Sequence, residues 1–196
     1  GSMMRRILRL LACGAVVLSL VACTPTGRAV GDTQDNMPSI AHDSTHKTDI
    51  TVGFVGSTDT AADKKAIDAL ADDTLNVYYT SLDTSGDSET ADKIAATAQQ
   101  GITDFVDRAV KIVIISGIDV TDANRDSWNQ ALTNVREAGI PVALLNPKHA
   151  PEDELLYAAI LNTDDAASAK SVSIADAVIT ITRDEPHDRT IAVATE

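Results

Sequence analysis

The chain has 196 residues and a mass of 20.6 kDa, a size that predicts one domain, or one domain and part of a second. Its 29 acidic and 16 basic residues give a net charge of -13, which would repel polyanions, so we expect no nucleic-acid partner. Hydrophobic residues make up 44% of the chain and aromatic residues only 3%, so the core must be built mainly from aliphatic side chains.

Residues 1–22 have the pattern of a cleaved leader. Gly1 and Ser2 precede the first methionine and resemble a cloning remnant, and three arginines then lead into the apolar run 10–22. That run is shorter than the roughly 20 residues that a membrane-spanning helix needs. It ends in Leu20-Val21-Ala22-Cys23, which resembles the lipobox of bacterial lipoproteins. The resemblance implies that Cys23 is lipidated and holds the protein on the extracytoplasmic side of the cell membrane. The alternative is a plain secretory signal with an incidental cysteine.

Residues 23–48 are predicted to form the lipidated cysteine and a flexible linker. The stretch after Cys23 is rich in Gly, Pro, Ser, Thr and Asp and shows no apolar periodicity. His42 and His46 are four residues apart, a spacing that can share a metal ion, but in such a linker we expect no metal site. Because Cys13 falls in the leader, the mature chain would keep one cysteine, which leaves no intramolecular disulfide or cysteine-based zinc site.

Short apolar runs alternate with helical patterns from Asp49 onward, which predicts an α/β fold around a parallel sheet. The predicted strands cover 50–55, 75–82, 111–117 and 142–145, with a last one over 190–194. The run 111–117 is β-branched throughout its middle, as expected of a central strand that is buried on both faces. Residues 152–161 stay open between two readings, because they resemble a helix start while their second half equally resembles a fifth strand.

Apolar residues at steps of three and four predict helices between these strands. The helices cover 60–72, 88–109 and 128–138, and a further one opens at Asp165 or Ser168 and runs through Ile179. The second of them is either one long helix or two helices broken at Gly101. Trp128 shares a face with Leu132 and Val135, so we predict that it belongs to the core rather than to a ligand-stacking surface.

Three segments resemble the sugar-type solute-binding proteins of ABC importers, which have the type I periplasmic-binding fold. The segments are 50–57, 100–117 and 137–146. The most specific part is Glu137-Ala138-Gly139-Ile140-Pro141-Val142, a helix-to-strand turn in which the glycine supplies a left-handed cap and the proline stops the helix. The resemblance implies a three-layer, Rossmann-like or flavodoxin-like parallel sheet with strand order 2-1-3-4-5.

Members of that family have two lobes, and this chain is shorter than two lobes require. The resemblance therefore implies that residues 49–163 form the N-terminal lobe. Residues 164–196 would be either the start of a truncated second lobe or an extra helix and strand that are rearranged onto the first sheet.

Ligands of open parallel sheets bind outside the carboxyl ends of the strands, near the point where the strand order reverses. The candidate ligand-binding residues are those that follow the predicted strands: Ser57, Thr58, Asp59, Asp83, Asp119, Asn146, Lys148 and Asp164. Their polar groups suit a polyol, since each sugar hydroxyl can both donate and accept a hydrogen bond. The structural alternatives are helix capping for Asp59 and turn formation for Asp119 and Asn146.

The sequence departs from the sugar-binding family in two places. The loop 56–63 holds no aromatic residue, where family members place one to stack on the sugar ring. Asn146-Pro147-Lys148 stands where the family has an Asp-Arg pair.

We therefore predict a membrane-anchored, extracytoplasmic solute-binding lipoprotein, or a fragment of one, that serves an ABC permease and binds a sugar or a related small polar solute. The alternative is a single-lobe interaction or sensory domain that docks on a membrane partner or forms a homodimer. The chain has no Gly-x-Ser-x-Gly elbow, no phosphate-binding Gly-x-x-x-x-Gly-Lys loop and no Gly-x-Gly-x-x-Gly fingerprint. We thus expect no catalysis and no cofactor.

Overall fold

The computed structural model of the protein describes residues 27, 29–32, 49–82, 91–164 and 169–196, with the backbone alone at residue 91. The strands within these ranges are β1 (Thr51–Val55), β2 (Asn76–Thr80), β3 (Ile112–Ser116), β4 (Val142–Leu145), β5 (Ala159–Asn162), β6 (Val172–Ser173) and β7 (Thr190–Ala194). The helices are α1 (Thr60–Asp72), α2 (Ala91–Asp107), α3 (Arg125–Glu137) and α4 (Ile174–Thr182), and a short 3-10 helix covers Glu154–Leu156. None of these helices is both long and apolar enough to cross a bilayer.

All of these strands pair in parallel, in the order β2-β1-β3-β4-β5-β7-β6. The predicted α/β class and the predicted order 2-1-3-4-5 are confirmed. Because β7 pairs with β5, the last helix and strand continue the same sheet. The strand order reverses between β1 and β3, since β2 lies on one side of β1 and the later strands lie on the other.

Alternate residues of the strands enter two separate parts of the core. Val52 and Phe54 of β1 face the cluster that packs against α1 and α4, whereas Val55 faces the cluster formed with α2 and α3. The side chains of β3 divide in the same way, and Ile112 to Ile115 are all buried. The expectation of a central strand is therefore confirmed, and the helices cover both faces of the sheet, as a parallel sheet requires.

Trp128 is 3% exposed and belongs to the α2–α3 cluster, as predicted. The predicted turn after α3 is also present, because Gly139 adopts a left-handed φ of 74° and its N–H donates to the carbonyl of Arg136. Pro141 then directly precedes β4.

Three element predictions need correction or completion. Helix α2 is one continuous helix rather than two, and Gly101 lies within it. A side chain at Gly101 would collide with Thr80 of β2, so the glycine allows close packing and does not break the helix. Residues 152–161 were predicted as either a helix start or a fifth strand, and they contain a short 3-10 helix followed by strand β5. The predicted start of α4 at Asp165 or Ser168 is wrong: those two residues lie outside the described ones, and α4 begins only at Ile174, after β6 and with Ser173 as its cap.

A short N-terminal segment, Ala29–Asp32, lies against the domain, and we call it the strap. It falls within the stretch that was expected to be a flexible linker. Ala29 is 1% exposed, and the carbonyl of Gly31 lies 2.7 Å from Nε2 of His187. The carboxylate of Asp32 accepts a hydrogen bond of 2.9 Å from Nη1 of Arg189. Side-chain and backbone contacts thus hold these four residues in place.

Candidate functional site

The crevice at the reversal of strand order is the place where open parallel sheets bind ligands. Here it lies between the loop that follows β1 and the loop that follows β3. The two loops approach closely at Gly117, where a Cβ atom would lie 3.0 Å from the Cβ of Ser57. Gly117 also has a left-handed φ of 63°, so a glycine suits this position for two independent reasons.

Asp63 connects the two loops below this crevice. Its carboxylate is 1% exposed and accepts hydrogen bonds from the backbone N–H of Ser57 at 2.6 Å and from the Ser57 hydroxyl at 3.0 and 3.1 Å. The hydroxyl of Ser116, at the end of β3, donates to the same carboxylate at 2.6 Å. The acid lies in the first turn of α1, where the helix dipole favours a negative charge. We call Asp63, Ser57 and Ser116 the rim cluster.

Ser57 also accepts a hydrogen bond from the N–H of Asp59 at 3.1 Å. Asp59 in turn caps α1, with its carboxylate accepting from the N–H of Ala62 at 3.1 Å. The loop from β1 to α1 is therefore fixed at several successive residues, and the structural alternative for Asp59, helix capping, describes its contacts here.

A cavity of about 60 Å³ opens at the crevice on the side of α2 and α3. Its polar lining residues are Ser57, Thr58, Ser116, Asp119 and Lys148. Its apolar lining includes Ile94 and Ala98 of α2 and Trp128 of α3. The indole Nε1 of Trp128 is buried and has no hydrogen-bond partner among the described residues. The cavity thus has a polar side formed by the loops and an apolar side formed by two helices.

The loops after β3 and β4 are joined to each other beyond the end of the sheet. Asp119 and His149 form an isolated parallel bridge, and Nδ1 of His149 lies 2.7 Å from Oδ1 of Asp119. The N–H of Lys148 donates to the carbonyl of Ile118 at 2.8 Å. These contacts fix the backbone that presents Asp119 and Lys148 to the cavity.

Asn146 occupies a different position, on the far side of the sheet plane. It adopts a left-handed φ of 46°, and its side-chain amide exchanges two hydrogen bonds with Thr163, at 2.8 and 2.9 Å. With Asp59 it lines a wide, open groove of about 660 Å³ beside α1. Asn146 therefore clamps the loop after β4 to the loop after β5.

The predicted site residues thus fall into separate groups. Four of them, Ser57, Thr58, Asp119 and Lys148, line one cavity, while Asp59 and Asn146 line the groove on the opposite face. Asp164 is exposed, and its N–H donates to the side chain of Asn162. Asp83 and the predicted lipid anchor Cys23 lie outside the described residues.

Sequence reasoning missed three residues of this region, namely Asp63, Ser116 and Tyr79. Asp63 shares its helix face with Ala66 and Leu70, so an acid within an apolar stripe was the available signal. Ser116 is the polar residue that ends the buried run of β3, but nothing in the sequence pairs it with Asp63. Tyr79 comes from β2, and its ring lies against Gly56, where a Cβ would meet it at 2.8 Å.

Tyr79 supplies an exposed aromatic ring next to the loop 56–63, which has none of its own. Its side chain is 45% exposed. Burial of its remaining part, and then the negative charge of Asp63, raise the pKa of the Tyr79 phenol. The phenol therefore stays neutral at physiological pH and can both donate and accept.

Within the described ranges, no group of three or more His, Cys, Asp or Glu side chains is placed to hold a metal ion. His42 and His46 fall outside those ranges.

No protein-family model and no curated protein matches the chain. Among solved structures, it is similar to a galactofuranose binding protein with 16% identity and a TM-score of 0.44, over 73% of this chain and 56% of that one. It is also similar to the periplasmic binding protein component of the arabinose ABC transporter from Shewanella sp. ANA-3, with 14% identity and a TM-score of 0.44, over 72% and 54% of the two chains. A putative pilus assembly-related protein from Burkholderia pseudomallei matches with 17% identity and a TM-score of 0.41, over 76% of this chain and 99% of that one.

Across four of the similar structures, this chain covers between 34% and 56% of the length of the matched protein. At these identities, and with TM-scores below 0.5, the ligand and the partners of this chain have to be inferred from its own residues.

Proposed function

We propose that the protein binds a small polar solute of the sugar type at the carboxyl edge of its sheet, as an extracytoplasmic lipoprotein that is anchored through Cys23. In this proposal the bound solute passes to an ABC permease. The site binds without catalysing a reaction and needs no metal or cofactor.

One observation carries the proposal, namely the position and lining of the cavity between the loops after β1 and β3. Polar residues, among them Ser57, Asp119 and Lys148, line one side, and apolar residues with Trp128 line the other. A sugar has hydroxyl groups around its ring and C–H groups on its faces, so it fits a site with a few placed polar groups on an otherwise apolar wall.

The rim cluster favours binding because it is already ordered. The hydroxyls of Ser57 and Ser116 both donate to Asp63, so the two loops that border the cavity are joined to each other before a ligand arrives. Groups that are fixed before binding lose less conformational entropy when the ligand arrives.

The size of the cavity sets the expected affinity. One water needs about 10–15 Å³ of such a volume, so the cavity has room for only a few waters. Only part of a monosaccharide ring would fit inside it. The remainder of the solute would stay exposed. We therefore expect dissociation constants near 1 mM, about -4 kcal/mol, for the chain alone.

Titration calorimetry of the purified chain against pentoses, hexoses and linear polyols tests the binding site. At least one of them should bind, and Lys148→Met, which removes the positive charge of a residue that lines the cavity, should weaken that binding about tenfold. Lys65→Met is the matched control, because Lys65 lines the groove on the opposite face and its loss should leave the affinity unchanged. Absence of binding by the whole panel at about 10 mM would contradict the proposal.

The anchor is tested separately by mass spectrometry of the protein extracted from bacterial membranes. Acyl chains on an N-terminal Cys23 are expected, and Cys23→Ala should move the protein into the soluble fraction. At least two chains are expected, since one acyl chain gives only marginal membrane binding.

A second candidate function follows from the small size of the cavity. A homodimer or a docked membrane partner that faced the same rim would enclose the exposed part of the solute, as in the alternative of a single-lobe interaction domain. Sedimentation velocity with and without the bound sugar tests the homodimer. If the protein is a monomer in both conditions, the homodimer is excluded.

A further inference from the structure

The strap Ala29–Asp32 lies at the edge of the sheet that is opposite the candidate site. Gly31 packs on Pro141, which directly precedes β4, and on Ile181 near the end of α4. Its other contacts, His187 and Arg189, lie just before β7. In a parallel sheet these positions share the amino edge, whereas the rim cluster and the cavity lie at the carboxyl edge.

The strap is held by contacts of three kinds. The first is steric fit, since a Cβ on Gly31 would lie 2.7 Å from the Cβ of Pro141, and Gly31 also has a left-handed φ of 78°. The second is the hydrogen bond between the Gly31 carbonyl and His187. The third is the ion pair of Asp32 with Arg189, whose side chains are only 12% and 25% exposed.

Arg189 is itself fixed by the domain, so the ion pair joins the strap to a rigid partner. Its guanidinium donates to the carbonyls of Tyr157 at 2.9 Å and of Glu154 at 3.0 Å. It also lies 4.8 Å from the centre of the Tyr157 ring. Asp32 therefore meets a guanidinium that is ordered independently of the strap, which makes the contact more than an exposed ion pair.

We infer that the strap orients the domain at the membrane, with the amino edge of the sheet toward the bilayer and the ligand cavity facing away from it. This inference rests on the proposed anchor at Cys23. Cys23 and Ala29 are six residues apart, so the chain between them reaches at most about 20 Å. Because α1 alone extends about 20 Å along the strands, the carboxyl edge could touch the bilayer only if this chain were fully extended, whereas the amino edge lies close to it otherwise.

The consequence concerns access to the ligand. With the strap docked, the short chain from Cys23 to Ala29 keeps the cavity facing away from the bilayer, where it can take up solute. The rest of the linker, residues 33–48, then contributes nothing to the distance between the domain and the membrane, since the strap is fixed before it begins. Transfer of that solute to a permease in the membrane then requires the strap to detach.

Hydrogen exchange on the Cys23→Ser chain tests docking without the anchor. The amides of the strap should exchange slowly, and Gly31→Val, which collides with Pro141, should raise their exchange rate at least tenfold. Gly27→Val is the matched control, because Gly27 also has a left-handed φ, 84°, but no atom lies within 4 Å of its Cβ position. Asp32→Ala is a second variant that introduces no bulk, and it should raise the exchange rate as well. Fast exchange in the unsubstituted strap would overturn the inference.

Energy transfer to a headgroup dye in phosphatidylcholine vesicles tests the orientation of the lipidated chain. A donor is attached at Ala61→Cys, near the carboxyl edge, or at Ala138→Cys, near the amino edge, and both residues are exposed. Transfer should be clearly stronger from position 138, and Gly31→Val should reduce this difference while Gly27→Val should not. Equal transfer from both positions would overturn the inference.

The outcomes separate this inference from the proposed function. If the chain does not float with the vesicles, the anchor at Cys23 is wrong and the orientation fails with it, whereas docking is still decided by hydrogen exchange. If it floats but both labels give equal transfer, the anchor stands and the orientation alone is wrong.

Discussion

The two edges of the sheet are held together in different ways. At the carboxyl edge, small polar side chains bond to one another around Asp63, and a cavity remains open beside them. At the amino edge, a glycine packs on a proline and Arg189 binds backbone carbonyls, which fills the space with the strap. The first arrangement leaves polar groups available to a ligand, whereas the second uses them for attachment.

The comparison explains how one parallel sheet can serve two purposes. The loops at the carboxyl edge can vary without disturbing the strands, which is why binding sites form there. The amino edge instead receives the helix-to-strand turns, such as the turn at Gly139, and holds the one strap segment that the structure describes.

The largest expected effect comes from removing the centre of the rim cluster. Asp63→Ala should lower the free energy of unfolding by about 3 kcal/mol, because the buried hydroxyl of Ser116 and the half-buried donors of Ser57 lose a charged acceptor. It should also abolish sugar binding, since the loop after β1 loses its fixed position. Urea unfolding and calorimetry measure the two effects.

The matched control for this prediction is Asp68→Asn on the same helix. Asp68 is an exposed carboxylate that pairs with Lys64, and its loss should leave stability and binding unchanged. Equal effects of the Asp63 and Asp68 substitutions would show that the rim cluster does not organise the carboxyl edge.

A smaller effect is expected from glycines that stand at the two edges. Gly117→Ala and Gly139→Ala both place a side chain at a left-handed φ, 63° and 74°, which costs about 1 kcal/mol. Only Gly117 has a close neighbour, the Cβ of Ser57 at 3.0 Å, and Ser57 cannot move without straining its bonds to Asp63. Gly117→Ala should therefore cost about 1 kcal/mol more than Gly139→Ala in urea unfolding, and it alone should weaken sugar binding.

If the two alanine substitutions cost the same, Ser57 yields freely and the loops after β1 and β3 are not held in contact. That result would show that the rim cluster does not fix the distance between the two loops. The shape of the cavity would then have to change when a ligand binds.

Local periodicity and the β-branched run of β3 were sufficient to predict most elements, whereas the strand order came from the resemblance to solute-binding proteins and not from the pattern itself. The sequence also placed Ser57, Thr58, Asp119 and Lys148 correctly as residues that follow strands, and the structure brings them to one cavity. The division of the remaining candidates between two faces was not predictable, because the side of the sheet on which a loop residue lies depends on loop backbone geometry.

Asp63 and Tyr79 show a second limit of the sequence. Their importance depends on contacts between an element and a neighbour that is distant in the chain, such as Ser116 for Asp63 and Gly56 for Tyr79. A rule that looks only at residues after strand ends selects neither, since Asp63 lies within a helix and Tyr79 within a strand.

The smallest expected effect tests whether Tyr79 belongs to the same edge as Asp63. Burial, and then the Asp63 charge, raise the Tyr79 pKa above its usual value of 10.0, so the folded state keeps this proton where the unfolded state has lost it. The resulting contribution to the free energy of unfolding is complete below about pH 10 and is lost as the pH rises through the folded pKa. Tyr79→Phe cannot lose a proton, so its stability should fall less over this pH range. Urea unfolding between about pH 9 and pH 11 measures it, and the effect should be slight because the ring is partly exposed.

Phenol absorbance should show a high Tyr79 pKa in the unsubstituted chain and a lower one in Asp63→Asn. A Tyr79 pKa that is the same in both chains would show that the charge of Asp63 does not reach the phenol, although the ring still lies against Gly56.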